Sequence, residues 1–308
     1  PSETVPPPVV PLPQFGQQGD ARSLVVAPYV VDQMALSKKV RVFLGGRLDT
    51  IDYEETRSAT ERSETRFNPL LGAVYSPDDR LALHASWGTA FAPPSSLVVG
   101  PRDPEESRQL EAGAKLKFLG GKAFAGVSVY QLERENIAIP DASGLTRQSG
   151  DQRSRGIELD FSSELEKGWI TYATYAFTDA ELLRFSELVP LQPPDFLVVD
   201  RDGNRSPFAP RHLFGLWTTR SLGRGFALSL GVRAVSEQFI SEDNRYRIGG
   251  YATLDAGVSY DARPVRFGMT FKNITGAEYE TRGFGSASAI PARPFELVCR
   301  VEFSVGSR

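Results

Sequence analysis

The chain has 308 residues, a net charge of -3, 41% hydrophobic residues and a single cysteine, Cys299. That balance leaves no electrostatic footprint for nucleic acid and excludes an internal disulfide framework. No run reaches the roughly 18 consecutive apolar residues of a membrane helix, but a strand crossing a membrane needs only about 9 to 11 with one apolar face, so the mean hydropathy of -0.26 is compatible with both.

Residues 1–20 contain Pro6-Pro7-Pro8-Val9-Val10-Pro11-Leu12-Pro13, which cannot donate ladder hydrogen bonds at its prolines, and read as an extended linker or loop remnant. No basic start and apolar core of a signal peptide is visible there. From residue 21 about 13 strands are expected, near 22–35, 40–53, 66–76, 81–92, 105–118, 123–138, 151–165, 169–180, 208–222, 226–240, 249–260, 265–275 and 294–305. Between them, short turns alternate with long loops. The short ones are at 36–39, 77–80, 119–122, 166–168, 223–225 and 261–264, and the long ones near 54–65, 93–104, 139–150, 181–207, 241–248 and 276–293. A sandwich in water has no reason to collect its short connections at one end, whereas a barrel crossing an outer membrane does. Lys38, Asp79, Lys122 and Arg224 are therefore expected at one rim and Glu61, Arg102, Asp202 and Tyr279 at the other.

The faces are clearest late in the chain. Leu228, Val232, Phe267, Met269, Leu297 and Val301 fall on one register, and Arg233, Lys272 and Arg300 on the opposite one. A lipid-facing charge costs about 2 to 4 kcal/mol at the bilayer midplane, so the first set is expected to meet lipid and the second the lumen. Trp87, Phe91, Trp169, Tyr172, Trp217, Phe239, Tyr251 and Tyr260 lie near strand ends and suit interfacial girdles.

Arg153-Ser154-Arg155-Gly156-Ile157-Glu158-Leu159-Asp160 resembles the "RSxGxEL" strand of TonB-dependent outer-membrane receptors, and Lys272-Asn273-Ile274-Thr275-Gly276-Ala277-Glu278-Tyr279 resembles their "xNLxxxxY" segment. Supporting likenesses are Leu110-Glu111-Ala112-Gly113-Ala114-Lys115, Pro210-Arg211-His212, Gly250-Tyr251 with Leu254-Asp255-Ala256-Gly257, and Arg47-Leu48-Asp49. The order of these segments is most similar to that in ferric-siderophore receptors. The resemblance implies a barrel of about 22 strands plugged by an N-terminal domain and energised through TonB. Only about 13 of those strands fit here and nothing resembles the plug, so the fold expected is an all-β, partial antiparallel transmembrane barrel, with residues 21–308 its C-terminal part. Ser2-Glu3-Thr4-Val5 resembles a TonB-contact box, but a proline tract and a strand follow it, and it is read as loop.

The function implied is TonB-energised uptake of a scarce ligand, a ferric siderophore first, in the outer membrane of a Gram-negative bacterium. A passive or adhesive barrel is the alternative. Implied partners are outer-membrane lipid and lipopolysaccharide, TonB through the plug, and the siderophore; no nucleic acid, cofactor, structural metal or catalytic site is expected. His84 and His212 are far apart in sequence with no carboxylate at ligand spacing, and Cys299 lies in an apolar register. A bulky, often anionic iron complex calls for aromatics and arginines at the long-loop rim. The candidates are Phe91, Arg245, Tyr246, Arg247, Tyr279, Arg282 and Phe284.

Overall fold

A computed structural model describes residues 21–55, 60–92, 103–140, 146–165, 168–191, 196–284 and 288–304. The expected linker, the TonB-box-like residues and Arg102 lie outside them. The strands are β1 (Ala21–Val26), β2 (Tyr29–Ala35), β3 (Val40–Glu55), β4 (Thr60–Tyr75), β5 (Leu81–Ala92), β6 (Glu105–Phe118), β7 (Ala123–Pro140), β8 (Thr146–Leu165), β9 (Trp169–Leu183) and β10 (Ser186–Pro190). They continue with β11 (Phe196–Asp200), β12 (His212–Gly223), β13 (Phe226–Val235), β14 (Gln238–Phe239), β15 (Arg247–Ile248), β16 (Tyr251–Ala262), β17 (Val265–Lys272), β18 (Glu280–Phe284), β19 (Ser288–Pro291) and β20 (Glu296–Phe303).

Fourteen of them form one antiparallel sheet in the order β1, β3, β4, β5, β6, β7, β8, β9, β12, β13, β16, β17, β20, with β2 also on β3. Each strand of the series lies beside the next, the meander of an up-and-down barrel wall. The pairs β10–β11, β14–β15 and β18–β19 are separate hairpins. They decorate the long connections, while the short turns gather at the opposite rim. Lys38, Asp79, Lys122 and Arg224 fall on that short-turn rim and Glu61, Asp202 and Tyr279 on the other, as the alternation of connections requires.

The faces follow from register. Opposed residues share a face, so one row reads Leu297, Phe271, Ala256, Leu230, Thr218, Thr171, Ser163 and Ala123, and the row beside it Val301, Phe267, Tyr260 and Phe226. The apolar members stay open to their surroundings: Leu297, Phe267 and Leu230 are all exposed. A buried core is small, with Leu182 and Phe185 forming its cluster. In water such a face would be a liability; against hydrocarbon it is the stable arrangement. The inner face carries Arg266 opposite Glu302, Arg300 opposite Gly268, and Lys272 opposite Glu296.

Several boundaries differ from the sequence reading. The expected strand 22–35 is interrupted at Ala27-Pro28, because proline has no N–H to give the ladder. Its carbonyl still accepts the Leu48 N–H at 2.9 Å, and β1 and β2 share one edge of β3. The loop expected at 54–65 is largely strand, since β3 runs to Glu55 and β4 starts at Thr60. Here polar cross-strand pairs replace apolar alternation: Thr50 and Thr65 hydroxyls lie 3.1 Å apart, and Asp49 accepts from Asn68 at 2.7 Å. The loop expected at 139–150 is shorter, since β7 runs to Pro140 and β8 starts at Thr146. The loops at 181–207 and 276–293 contain the β10–β11 and β18–β19 hairpins.

At the short-turn rim, side chains hold the chain reversal. Asp78 Oδ1 accepts the N–H groups of Arg80 at 2.7 Å and Leu81 at 3.0 Å, and these bonds hold its carboxyl below the usual range.

Candidate ligand site at the long-loop rim

β17 ends where Asn273 takes the left-handed conformation at φ +50, which asparagine tolerates better than most residues. Its N–H donates to Asp255 Oδ1 at 2.8 Å, its Nδ2 to the Ala277 carbonyl at 2.9 Å, and its Oδ1 accepts the Ala277 N–H at 2.9 Å. Asn273 is 4% exposed, so each bond is held away from water. This knot aims the following residues back at β16. Tyr279 then stacks on Tyr251, with ring centroids 3.9 Å apart and planes inclined by 22°. The Arg233 guanidinium lies 6.0 Å from the Tyr251 centroid. Arg233 has no carboxylate partner among the described residues, and it stands on the inner face opposite Thr253.

The neighbouring connection supplies the rest of the rim. Asn244, at φ +55, accepts the Arg205 N–H at 2.7 Å and donates to the Arg205 carbonyl at 2.8 Å. The Arg205 guanidinium sits 5.4 Å over the Phe239 ring, and Asn204 Nδ2 donates to the Glu242 carbonyl at 2.8 Å. The loops around 201–211 and 236–248 are thus fastened into one body. Burial pushes the Glu242 carboxyl up, and the nearby Glu187 and Asp243 add to that, against its own backbone hydrogen bond and Arg201.

Of the residues expected from sequence, Arg245, Tyr246 and Arg247 occupy this second connection. Arg247 pairs with Glu237 at 2.9 Å, Arg245 lies 3.8 Å from Asp243, and Tyr246 is exposed. β15 lies beside β18, which brings Arg247 near the strand carrying Arg282 and the backbone of Phe284. Arg282 is exposed and has no ion pair among the described residues. Tyr279 stands at the centre. Phe91 does not join them: it lies on β5, on the other side of the sheet order, beside the boundary with β4. Two members escaped the sequence reading as ligand contacts. Strand position alone puts Tyr251 in a girdle and Arg233 in the general lumen, and only the chain reversal at Asn273 reveals that Tyr279 completes a cluster with both.

The arrangement offers a two-ring aromatic surface, a guanidinium at Arg233 with no carboxylate partner among the described residues, and a second exposed guanidinium at Arg282. It is equipped to stack a planar group and to neutralise an anion. No group of three metal-ligating side chains occurs among the described residues. His84 Nε2 lies 3.3 Å from Glu111 Oε1, a neighbour that sequence spacing did not reveal, and 3.4 Å from Ser128 Oγ; His212 Nδ1 bonds the Tyr175 hydroxyl at 2.8 Å.

Residues 2–275 match the family model described as TonB dependent receptor-like, beta-barrel. The chain belongs to this family. Among its relatives, the metal-pseudopaline receptor CntO of Pseudomonas aeruginosa is 26% identical over 93% of the chain, which spans 42% of that protein. The ferrichrome outer membrane transporter/phage receptor of Escherichia coli K12 is 27% identical over 80% of the chain and 32% of its own length. In three dimensions the siderophore receptor PiuA of Acinetobacter baumannii superposes with a TM-score of 0.81 at 21% identity, over 92% of this chain and 44% of that one. The chain therefore spans less than half the length of these relatives, and corresponds to barrel alone.

The motif glycine of the RSxGxEL strand has a mechanical role. A Cβ at Gly156 would lie 2.5 Å from the Phe177 carbonyl oxygen and 2.6 Å from the Tyr130 ring. Tyr130 crosses this gap to bring its hydroxyl 3.1 Å from Thr178 Oγ1, bridging β7 to β9 over β8. Arg153 of the same motif pairs with Glu181 at 2.6 Å.

Proposed function

We propose that residues 21–308 form the C-terminal part of an outer-membrane receptor that imports a ferric siderophore, with energy delivered by TonB through a plug domain outside these residues. On this reading the long-loop rim is extracellular, the short-turn rim periplasmic, and the apolar outer face sits in the outer membrane of a Gram-negative bacterium against its lipid and lipopolysaccharide.

The observation that carries the reading is the cluster of Arg233, Tyr251 and Tyr279 on the inner face beneath the long connections. Its chemistry suits a bulky, anionic complex with planar groups, and it faces the route such a ligand takes through the lumen. Relatives named for metal-pseudopaline, ferrichrome and ferric pyoverdine support the ligand class. Arg282, Tyr246, Arg245 and Arg247 form the outer lip, and Phe284 follows on the same strand as Arg282. The test is binding of ferrichrome, ferrioxamine B and ferric pyoverdine to the full-length protein in detergent, by quenching of intrinsic fluorescence. Saturable binding of at least one, weakened about tenfold by Arg233→Ala, is expected, since a tenfold loss is about 1.4 kcal/mol. Failure of all three to bind would remove the siderophore assignment.

A further inference from the structure

A second aromatic and basic cavity lies beneath the rim cluster on the same sector of the inner wall. Sequence position puts Trp217 in an interfacial girdle, but the residue opposite it is Gly231, which shares the inner face of β13 with Ser229 and Arg233, so Trp217 points into the lumen. Glycine is what lets the indole lie flat there, because a Cβ at Gly231 would come within 2.5 Å of the ring. Arg233 of the rim cluster is two residues further up β13, roughly 7 Å at the rise of a strand. On β16, Tyr251 and Gly257 share the inner face six residues apart, roughly 20 Å.

Beside Trp217 the wall holds a cavity of about 400 Å³. It runs from Trp217 on β12 across Ser229 and Gly257 to Arg266, Lys272 and Arg300 on β17 and β20. Three cations thus line it against one carboxylate, Glu302. Arg300 lies 3.2 Å from Glu302, Lys272 3.5 Å from Glu296, and Arg266 2.9 Å from Asp261 and 3.9 Å from Glu302. All three cations are exposed. Exposed pairs of this kind are weak, so an incoming anion can draw their donors away.

Two properties fix the occupant. The basic lining asks for an anion, and the exposed face of Trp217 takes a planar or apolar group. The inner face of β6 to β8 is different in character, since Glu111, Glu158, Asp160 and Glu164 outnumber Lys115 and Lys117 there. An anion descending from the rim therefore meets its favourable contacts on the β12 to β20 sector, directly below Arg233.

We propose that the Trp217 cavity is a second binding position for the imported ligand, an anionic ferric chelate with a planar group, occupied after it leaves Tyr251 and Tyr279 and before it reaches the short-turn rim. The proposal rests on the import reading above. On that reading the plug stands in the lumen at rest, so the cavity fills only while TonB draws the plug aside.

The test uses the full-length protein in living cells supplied with benzophenone derivatives of ferrichrome, ferrioxamine B and ferric pyoverdine. The cells are irradiated during uptake and the labelled peptides are mapped by mass spectrometry. With TonB, label is expected at the rim around Tyr251 and Tyr279 and also around Trp217 or Arg300; without TonB, it is expected at the rim alone. Rim label with none at the cavity, cavity label that does not depend on TonB, or equal label around Ser128 and Glu158 would overturn the proposal and leave the siderophore assignment standing. Absence of rim label with all three derivatives would overturn both. Trp217→Ala is expected to lower the maximal uptake rate about fivefold and to change the half-saturating concentration less than about twofold, the weight of one aromatic contact made after rim binding. Trp217→Phe, which keeps a ring, is expected to recover most of the rate. An unchanged rate in Trp217→Ala at normal surface expression would also overturn the proposal. Should Trp217→Ala fail to assemble, Gly231→Ala, which lifts the indole from the wall, carries the same expectation, and labelling of the unchanged protein still decides.

Discussion

Tyr251 and Tyr279 stack with centroids 3.9 Å apart although β16, the turn after it, β17 and the turn at Asn273 separate them in sequence. Their contact is set by Asn273, whose side chain closes both sides of the turn at Ala277. Replacing Asn273 with Ala should cost about 1 to 3 kcal/mol locally by stranding buried backbone groups. Tyr279→Phe should preserve the stack and Tyr279→Ala should lose about 0.5 to 1.5 kcal/mol of pairing. Ligand titrations on the three variants check this: Asn273→Ala should resemble Tyr279→Ala, and Tyr279→Phe should resemble the unchanged protein.

Gly156 leaves the space over which Tyr130 reaches Thr178. Gly156→Val should force the backbone at Phe177 or the Tyr130 ring to move, at about 1 to 3 kcal/mol. The expected result is less assembled barrel and a lower temperature for loss of compact migration on a gel. Tyr130→Ala together with Gly156→Val should recover part of the loss, because one of the two clashes is gone.

Glu242 has its folded pKa raised by burial, with Glu187 and Asp243 adding to the effect. A raised pKa means that the stabilising, neutral form is fully present below the unfolded value and is lost as pH rises through the folded one. The fastened loops should therefore be firmer in mild acid than at neutral pH. Hydrogen exchange of the amides around 240–246 should slow as pH falls, after correction for intrinsic rates, and Glu242→Gln should abolish that pH dependence. An unchanged dependence in the variant would assign it to another group.

How far the sequence could be read follows from where its signals come from. Apolar alternation at Leu228, Phe267, Met269 and Leu297 marked the strands wherever one face is open to lipid, and the turns at 36–39, 77–80 and 223–225 marked their ends. The outer portions of β3 and β4 left no such mark, because polar residues dominate both faces there and pairing is held by Thr50 with Thr65 and Asp49 with Asn68. The rim residues Tyr279 and Arg247 were visible by type and place. That Tyr251 and Arg233 meet Tyr279, and that Phe91 stands apart, depends on a left-handed turn and a sheet order that local sequence does not encode.

Phe303 lies opposite Val265 and is 72% exposed at the end of β20. An apolar ring so placed suits the interfacial layer at the short-turn rim. Phe303→Ala should lower the amount of assembled barrel, while deletion of residues 306–308 should do little, as read by surface labelling and heat-modifiable migration.

The most direct measurement is uptake of iron-55 supplied as ferrichrome, ferrioxamine B or ferric pyoverdine by cells whose sole siderophore receptor is the full-length protein. Uptake of at least one should occur, should vanish in a TonB-deficient strain, and should fall about tenfold or more in the Arg233→Ala, Tyr279→Ala double variant at subsaturating ligand, each tenfold corresponding to about 1.4 kcal/mol. Undiminished uptake without TonB, or uptake indifferent to the double variant at normal surface expression, would contradict energised import through this site.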